Sequence, residues 1–423
     1  MLIEVIIVFF VLLLLGTPIF LSMGATAALW VACHTNIPSM VLSQKMFTSM
    51  DSFSLMAIPF FMMAGQIMER TGITKNIVHF ANSLVGQIRG GLGHTCTLAG
   101  VLMAGVSGSA NADASALGSI LLPTLKEDGY KRGFASALVA AAANLGPIIP
   151  PSIIMIIYGS VTGYSVGDLF MGGIMPGLCI ALGNMTLIYF HARRHNVRIH
   201  KFGGWKNVWK TFTKAIWALL MPLIVIGGIL SGIFTATEAG VVAVLYGIIY
   251  GLVCKKVNWV MLKESLLEAI IASTGPMAII AASSMLGYIL ARENLSGIIA
   301  DFCSAYISGY WSFYLFIVLF CLIAGCFIDC AATLLMLVPV LIPVAEGMGL
   351  DMQQFALILI IALLTGNLTP PVGATLFVVS SIDGLPFREI CKPIIPFVCV
   401  MLIVILLMIV FPFLTTLLPS IIG

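Results

Sequence analysis

Charged residues are scarce in this sequence. Asp, Glu, Lys and Arg make up 9% of the 423 residues and hydrophobic residues 60%, whereas about a quarter of the residues in a soluble domain are charged. So few charges cannot cover a surface that faces water, which excludes a soluble globular protein. The chain also lacks the phosphate-binding pattern G-x-x-x-x-G-K-[ST], which argues against direct use of ATP.

Paired cysteines are also missing. The ten cysteines are scattered singly through apolar segments, and only Cys326 and Cys330 lie close together. Two cysteines at helical spacing in an apolar segment are more often packing residues than a metal or redox site. We therefore assign them no role.

Long apolar runs extend along the whole chain. Most can cross a hydrocarbon core of about 30 Å, and backbone groups in lipid need internal partners, so the runs are predicted to be helices. Glu4 is the only charge before residue 45, and the first run is too long for a cleaved signal, so we expect a retained first span. The sequence predicts an all-α, multi-pass membrane protein. The runs include Val5–Leu21, Phe134–Ile157, Ile216–Ile233, Ile270–Leu290, Phe313–Phe327 and Phe397–Leu418.

A basic segment lies in the middle of the chain. Seven Lys and Arg residues occur in His191–Lys214 without an acid, and three lysines at 255–263 follow a predicted helix pair at about 215–233 and 239–254. The positive-inside rule puts both segments in the cytoplasm. A patch for nucleic acid or anionic lipid is the alternative, but two basic segments on either side of an out-and-back helix pair favour a signal for orientation. No nucleic-acid partner is predicted.

The chain contains an internal repeat. Seven positions recur 220 residues later without a gap, and single Gly or Pro matches are common in membrane helices but seven at one offset are not. The pairs are Gly105 with Gly325, Pro123 with Pro343, Gly129 with Gly349, Gly146 with Gly366, Pro150 with Pro370, Pro151 with Pro371 and Ser160 with Ser380. The repeat predicts two homologous units, 48–165 and 270–385. We expect N-terminal scaffold helices in 1–47, connecting helices with the basic loop and a scaffold pair in 166–269, and a C-terminal scaffold helix in 386–423. Counting the spans between equivalent points leaves open whether the units are inverted.

Each unit contains a polar interruption with a peculiar shape. The cluster Ser107–Asp113 divides two apolar arms of about a dozen residues, and each arm would reach only about 18 Å. The arms predict a re-entrant helical hairpin, and the second unit repeats it around Gly325–Thr333. Proline then breaks another apolar run at Asn144–Pro151 and again at Thr365–Pro371. A hairpin tip beside a broken helix, twice over, is typical of the binding site of a secondary transporter.

Two isolated acids lie at or near these tips. Close helix packing explains small residues such as Gly108, but an acid inside an apolar segment is costly and usually lines the path of a solute. We therefore expect a functional role for Asp113 and Asp329, with Thr333 at the position equivalent to Asp113. The sequence leaves open whether Glu238 caps a helix or acts in transport. It offers no single cation for an anionic solute, so hairpin amides and hydroxyls are expected to bind the anion.

The order and spacing of several motifs make the whole chain resemble the large membrane subunit of the tripartite ATP-independent periplasmic (TRAP) transporters. Ala236 departs from the pattern, since the family usually has Pro between the two threonines. The motifs are Met56–Phe61 with Ala64 and Gly65, Gly90–His94, Gly105–Asp113, Ile149–Ile153, Gly232–Ala239 and Leu368–Gly373.

The resemblance implies an elevator-type sodium symporter with two inverted repeats in the bacterial inner membrane. It implies three partners: an organic acid anion, a periplasmic substrate-binding protein that delivers it, and a small membrane subunit, which we expect on a separate chain. Sodium would be the coupling ion, and no organic cofactor is expected. Which acid is carried, a dicarboxylate, sialate or another sugar acid, stays open.

By analogy with the family we assign the site residues. The predicted substrate-binding residues are Ser107, Ser109, Asn111, Asp113, Pro150, Pro151, Thr369 and Pro370. Hard cations take oxygen ligands, and the predicted sodium ligands are Gly105, Ser107, Asn144 and Gly146 at the first tip and Gly325, Asp329, Thr333, Gly366, Asn367 and Thr369 at the second.

Two other functions were weighed. A sodium-coupled carboxylate transporter or ion exchanger with the same plan but no binding protein is the nearer alternative. Gly105–Gly108 also matches the G-x-S-G pattern of some intramembrane serine proteases, which need a histidine near the serine. Only His79 and His94 lie in apolar surroundings, and a protease would leave the repeat unexplained, so the chain is predicted not to be an enzyme.

Overall fold

The computed structural model describes residues 2–34, 37–195, 197–295, 297–298 and 309–422. Nineteen α-helices lie wholly within these residues, with a 3₁₀ turn at Phe53–Met56 and no β-strand among them. The first nine helices are α1 (Leu2–Leu14), α2 (Ile19–His34), α3 (Met40–Met50), α4 (Ala57–Arg70), α5 (Ile73–Val85), α6 (Gly91–Ser107), α7 (Ala110–Glu127), α8 (Arg132–Ala143) and α9 (Ile153–Thr162). The others are α10 (Val166–His195), α11 (Trp205–Leu230), α12 (Ala236–Val253), α13 (Trp259–Arg292), α14 (Tyr310–Phe327), α15 (Cys330–Gly347), α16 (Met352–Asn367), α17 (Ala374–Asp383), α18 (Phe387–Val410) and α19 (Phe413–Ile422).

The prediction of a multi-pass, all-helical membrane protein is confirmed. Seven of the helices that the structure describes are long and apolar enough to cross a bilayer, and an eighth span results if α3 and the following helix, which meet at 60°, count as one. The seven are α10, α11, α12, α13, α14, α15 and α18. The apolar window of each contains at most two charged residues, as a span through hydrocarbon requires.

The first apolar run is not one span. α1 ends at Leu14 and α2 begins at Ile19, because Gly16 adopts a φ of +83° and Pro18 cannot continue a helix. The 13 residues of α1 reach only about 20 Å. The prediction of a single span over Val5–Leu21 is therefore wrong.

The hairpin arms are longer than the sequence suggested. α6 has 17 residues and α7 has 18, so each reaches about 26 Å rather than 18 Å. Only Gly108 and Ser109 make the turn between the arms, and the polar residues that follow them belong to α7. Pro123 lies inside α7 and does not end it. The prediction of arms of about a dozen residues is therefore wrong.

The helix bounds follow the repeat seen in the sequence. The first hairpin, α6 and α7, turns at 108–109, and the second, α14 and α15, turns at 328–329, which is 220 residues later. α8 and α9 form a broken helix with its gap at 144–152, and α16 and α17 form another with its gap at 368–373. Both Pro-Pro bonds within these gaps are cis.

The first halves of the broken helices form the centre of the molecule. Every residue of α8 from Phe134 to Ala143 is buried, and so is every residue of α16 from Gln353 to Asn367. A helix that is apolar all round belongs in an interior. The hairpins, α10 and α18 pack around this centre, so the broken backbone that follows each half lies inside the protein.

A separate apolar cluster joins the N-terminal helices to α13. Its buried members come from α1, α2 and α3 on one side and from Ala282, Leu286 and Ile289 of α13 on the other.

Glu238 lies at the start of α12. Its carboxylate accepts from the Thr235 backbone N–H at 2.8 Å, while the Thr235 hydroxyl accepts from the Glu238 N–H at 3.3 Å. Glu238 is therefore the acid of a capping box.

Candidate functional site

Each hairpin tip lies against the Pro-Pro segment of its own repeat. Gly108 has a φ of +59°, and a Cβ there would lie 2.7 Å from the Pro151 carbonyl oxygen. At the second tip, the Gly373 N–H donates to the Cys326 carbonyl at 3.2 Å, and the Cys326 thiol lies 3.7 Å from the Pro370 carbonyl oxygen. The fold thus brings each predicted tip and each predicted break together, and only glycine permits the closest of these approaches.

Asp113 is buried within the first unit. The Ser107 hydroxyl donates to its Oδ1 at 2.6 Å, while its Oδ2 has no hydrogen-bond partner among the described residues. A Cβ at Gly146 would overlap Asp113 Oδ2, so the carboxylate fills the space that this glycine leaves. A buried carboxylate oxygen without a partner is costly, and it is a natural ligand for a hard cation.

Asn144 is the second buried residue with an unused oxygen. Its amide nitrogen donates to the Leu364 carbonyl oxygen at 3.1 Å, whereas its Oδ1 has no partner among the described residues. Positions 144 and 364 are equivalent in the repeat, so the two units touch at matching points in the centre. The Cα of Gly105 faces α11, where a Cβ would overlap the Pro222 ring.

The predicted residues of the second tip are largely satisfied by their own backbone. Asp329 caps α15 by accepting from the Ala331 N–H at 3.0 Å, and the Thr333 hydroxyl donates to the Asp329 carbonyl at 3.0 Å. The Thr369 hydroxyl donates to the Thr365 carbonyl at 2.7 Å. These groups keep oxygen lone pairs, but none of them resembles the unpaired carboxylate oxygen of the first tip.

Gly325 and Gly366 let two helices of the second unit approach closely. A Cβ at Gly366 would lie 2.8 Å from Gly325 Cα and 2.9 Å from the Leu322 carbonyl oxygen. α14 and α16 are therefore in backbone contact at this point. In the structure the two glycines act in packing, and a role for their carbonyls in binding sodium stays a prediction.

A polar chain connects the first tip to the second break. Asn367 accepts from the Ala374 N–H at 3.2 Å and its amide nitrogen lies 3.4 Å from Thr375 Oγ1, which donates to Asn111 Oδ1 at 3.3 Å. Thr375 was missed by the sequence reasoning. Because its repeat partner is Met155, the internal repeat contains no signal for it.

A cavity of about 140 Å³ lies between the two tips. Of the predicted substrate residues, Ser109 and Asn111 line it, while Asp329 and Asn367, predicted as sodium ligands, also face it. Neither lysine nor arginine is among the described residues that line it. The complete lining is Met62, Gly108, Ser109, Ala110, Asn111, Pro147, Ile153, Ile154, Ile157, Pro276, Asp329, Cys330, Ala331, Leu364 and Asn367.

The remaining predicted substrate residues lie outside this lining. Ser107 and Asp113 bond to each other behind the first tip, and the others belong to the two Pro-Pro segments. The lining instead includes an apolar group from α9 and single residues of α4 and α13, which the sequence reasoning missed. Within the part of the chain that the structure describes, no three His, Cys, Asp or Glu side chains are grouped to hold a metal ion.

This fold is that of an all-helical membrane protein with many spans. It is similar to the crystal structure of the Alcanivorax borkumensis YdaH transporter, with a TM-score of 0.59 and 15% sequence identity over 92% of this chain and 95% of that one. At this identity the likeness concerns the fold alone.

The sequence comparisons show the family. The model of the family described as "Tripartite ATP-independent periplasmic transporter, DctM component" matches residues 6–414, and the chain belongs to this family. The sialic acid TRAP transporter large permease protein SiaM of Vibrio cholerae is 36% identical over 410 residues, which cover 97% of this chain and 96% of that protein. The C4-dicarboxylate TRAP transporter large permease protein DctM of Pseudomonas aeruginosa is 33% identical over 95% of this chain and 94% of its own length.

The family answers several of the predictions. The resemblance to TRAP transporters is confirmed, and the chain is a multi-pass permease of the bacterial inner membrane and not an enzyme. The structure gives the same answer for the protease alternative. The Ser107 hydroxyl bonds to Asp113, whereas the His94 ring bonds to the Arg89 carbonyl, about 20 Å away along α6.

Proposed function

We propose that this permease imports an organic acid anion together with sodium, by an elevator movement of the two hairpins and the two broken helices. The main support for this proposal is the arrangement of residues at the centre of the molecule. Residues of both tips, of the first break and of the end of α16 line one cavity, and next to the first tip Asp113 has a buried carboxylate oxygen without a partner among the described residues. Irregular backbone at this depth is tolerated only where it is buried in protein or lines a water-filled cavity, and such breaks at the midplane form the sites of secondary transporters.

Sodium is the coupling ion in this proposal. Asp113 and Asn144 each offer a buried oxygen that no described residue satisfies, and Ser107 and the carbonyls of Gly105 and Gly146 complete an all-oxygen first site. The second site comprises Gly325, Asp329, Thr333, Gly366, Asn367 and Thr369. Bound sodium would neutralise the Asp113 carboxylate, and hard monovalent cations prefer such oxygen ligands.

The substrate is proposed to be a carboxylate. The first residues of α7 and α15, Ala110 and Cys330, both line the cavity, and the positive ends of helix dipoles favour anions. Ser109 and Asn111 add polar groups, while the predicted substrate residues Pro150, Pro151, Thr369 and Pro370 shape the two breaks. The two relatives described above are named for sialic acid and for C4-dicarboxylates, which are both organic acids.

The two repeats are proposed to be inverted. In this proposal the broken helix α8–α9 and the four helices α10, α11, α12 and α13 make five passes between Arg132 and the equivalent Met352, and the second hairpin returns to its own side. An odd number of passes puts equivalent points on opposite sides of the membrane. The contact between Asn144 and the Leu364 carbonyl is where a pseudo-two-fold axis in the membrane plane would pass.

The moving block is proposed to contain both hairpins, both broken helices and α18. Three contacts that cross between the units support this assignment: Asn144 with Leu364, Asn111 with Thr375, and Asp383 with residues of the first unit. α18 packs on α8 through the rings of Phe397 and Phe134, 5.5 Å apart, which favours the block over the predicted scaffold for residues 386–423. The scaffold comprises α1–α4 and α11–α13.

The partners follow from the family description as proposals. A periplasmic substrate-binding protein would deliver the anion, and a small membrane subunit on a separate chain would complete the permease. The alternative without a binding protein differs in one measurable way, because it would transport free substrate at full rate without the binding protein.

Uptake by proteoliposomes tests the proposal. The permease, reconstituted with its small subunit and binding protein, is expected to accumulate a labelled sialic acid or C4-dicarboxylate only with an inward sodium gradient. Equal uptake after potassium replaces sodium on both sides would exclude sodium coupling. Undiminished uptake without the binding protein would favour the two-component alternative.

A further inference from the structure

A second and larger cavity lies far from the hairpin tips. Its volume is about 390 Å³, and it is enclosed by α5, by the first turns of α11 and by the segment 200–203 between α10 and α11. Among the described residues, the lining is polar or basic except for two glycines and contains no Asp or Glu. The lining residues are Asn76, His79, Asn82, Ser83, Gly86, Gln87, His200, Lys201, Gly203, Asn207, Lys210, Thr211 and Lys214.

The positive charge of this cavity is not neutralised by the protein. Lys201, Lys210 and Lys214 form no salt bridge within the described residues. Lys210 and Lys214 are one turn apart on α11 and both face the cavity. The basic segment that the sequence pattern assigned to orientation is helical from Trp205 onwards, which converts part of it into an ordered site.

Hydrogen bonds hold the walls of the cavity in place. Ser83 Oγ and Thr211 Oγ1 lie 2.8 Å apart and join α5 to α11. His200 bonds to both oxygens of Asp128 at 2.9 Å, which fixes the segment after α10. The Asn82 oxygen lies 3.2 Å from the Thr95 hydroxyl, which also donates to the Gly91 carbonyl at 2.9 Å. The oxygen end of the Asn82 amide is thus turned to α6, and the group that Asn82 can offer the cavity is its N–H, a donor. Donors and ammonium groups together are chemistry for an oxyanion.

The surroundings of the cavity place it at a membrane interface. An apolar cluster of Phe80, Val208 and Ala215 lies next to it between the same two helices. Trp205 and Trp209 flank it with 78% and 67% of their surfaces exposed, and Trp217 is 48% exposed one turn beyond Lys214. Tryptophans are enriched at the level of lipid headgroups, and the basic loops mark this interface as the cytoplasmic one.

We propose that this cavity binds the phosphate of an anionic glycerophospholipid from the cytoplasmic leaflet. The lysines and the Asn82 amide would contact the headgroup, and the acyl chains would run along the exposed apolar surface of α11, which includes Leu223 and Ile224. A free phosphate ion shares the headgroup chemistry, but it would make no use of the exposed apolar surface that continues from the cavity into the membrane. This site is independent of the transported substrate and of the coupling ion.

Native mass spectrometry of the purified full chain in detergent tests the site, with phosphatidylglycerol and phosphatidylcholine as probes at equal concentration. The wild-type protein is expected to retain phosphatidylglycerol in preference. A Lys210→Gln/Lys214→Gln variant should lose roughly 25-fold in affinity, because a lysine beside an anionic headgroup contributes about fivefold. Unchanged affinity in this variant would overturn the proposal.

The matched control removes two lysines that do not line the cavity. Lys206 lies on the same helix and Lys263 on α13, and both are exposed. A Lys206→Gln/Lys263→Gln variant should keep most of the preference for phosphatidylglycerol. An equal loss in both variants would indicate a diffuse attraction of the basic surface and would overturn the assignment to the cavity. All four substituted side chains are exposed, and thermal unfolding without added lipid checks that both variants stay folded.

Competition with excess inorganic phosphate distinguishes a bound lipid headgroup from a bound phosphate ion. If the cavity is a lipid site, phosphate should leave phosphatidylglycerol bound, because the apolar contacts of the acyl chains are added to those of the headgroup. Complete displacement would show that the cavity takes a soluble anion and would overturn the lipid assignment.

Discussion

The carboxylate of Asp113 is the residue on which the proposed ion coupling depends most. Its Oδ2 is buried without a partner among the described residues, and Ser107 holds its other oxygen. An Asp113→Ala variant should need about tenfold or more sodium for half-maximal uptake, because a contact to a charged group contributes roughly 1.5–3 kcal/mol. Glu127→Ala removes an exposed acid at the far end of the same helix. The role proposed for Asp113 is wrong if both variants keep the sodium dependence of the wild-type protein.

Replacing Asp329 is expected to change the sodium dependence of uptake less than replacing Asp113. Its carboxylate already accepts from the Ala331 N–H as the N-cap of α15, although the side chain faces the tip cavity. An Asp329→Ala variant should lose about 1 kcal/mol of stability through the lost cap and should raise the sodium requirement. A sodium titration of uptake together with thermal unfolding separates the two effects. Lower stability with unchanged sodium dependence would mean that Asp329 is only a cap.

Gly146 provides a second test of the proposed sodium site, because its backbone lies against the Asp113 carboxylate. A methyl group there would overlap Asp113 Oδ2, so Gly146→Ala should displace the carboxylate and weaken sodium binding as strongly as its removal does. Gly227→Ala in α11 is the control, because no atom lies within 4 Å of its Cβ position and alanine is favoured over glycine in a helix. Sodium-dependent protection of the purified protein against heat measures binding in both variants. Wild-type protection in Gly146→Ala would contradict the placement of the ion beside Asp113.

At the scale of the elements, an ionic cluster joins the two units on the side where α7 ends. Asp383, at the end of α17, has a buried carboxylate that pairs with Lys126 and accepts from Ser136 at 3.0 Å, while Arg132 donates to its carbonyl at 2.8 Å. The repeat partner of Asp383 is Gly163, which has no carboxylate. The first broken helix therefore has no equivalent of this link. The link holds the far end of the second broken helix to the base of the first hairpin.

An Asp383→Asn substitution should loosen this link. Asp383 is buried, whereas its partners Lys126 and Arg132 are 31% and 52% exposed and can be hydrated when the carboxylate charge is lost. The loss of charged hydrogen bonds should therefore cost about 2 kcal/mol, and the thermal unfolding temperature of the purified protein should fall. Glu389→Gln serves as the control, since this acid lies nearby on α18 and is exposed. A variant as stable as the control would show that the cluster does not hold the units together.

For the whole molecule, the proposal requires the block to move against the scaffold. Leu102 of the first hairpin and Leu219 of α11 pack against the same apolar cluster, so cysteines at both positions can be crosslinked in a background without native cysteines. The crosslink should stop uptake but leave sodium-dependent heat protection intact, and reduction should restore transport.

A crosslink within the block is the matched control for this experiment. A Cβ built at Gly118 of the first hairpin would lie 3.4 Å from Ile382 Cδ1 of α17. Cysteines at these two positions should form a bridge that leaves transport intact, because both helices are assigned to the moving block. If the first crosslink permits full turnover, a fixed site with moving gates replaces the elevator. If the bridge within the block stops transport, the assignment of these helices to one rigid unit is wrong.

The sequence by itself determined the class of the molecule. Scarce charge and long apolar runs leave only the bilayer as a solvent, the 220-residue offset predicts duplicated helix bounds, and the paired prolines locate both breaks because proline cannot continue a helix. Tertiary contacts decided the rest. The unpaired Asp113 oxygen, the link through Thr375 and the capping role of Glu238 depend on neighbours distant in sequence or on the backbone that surrounds each side chain. Residue type alone cannot distinguish a satisfied polar group from an unsatisfied one, since that difference is created only when the chain packs.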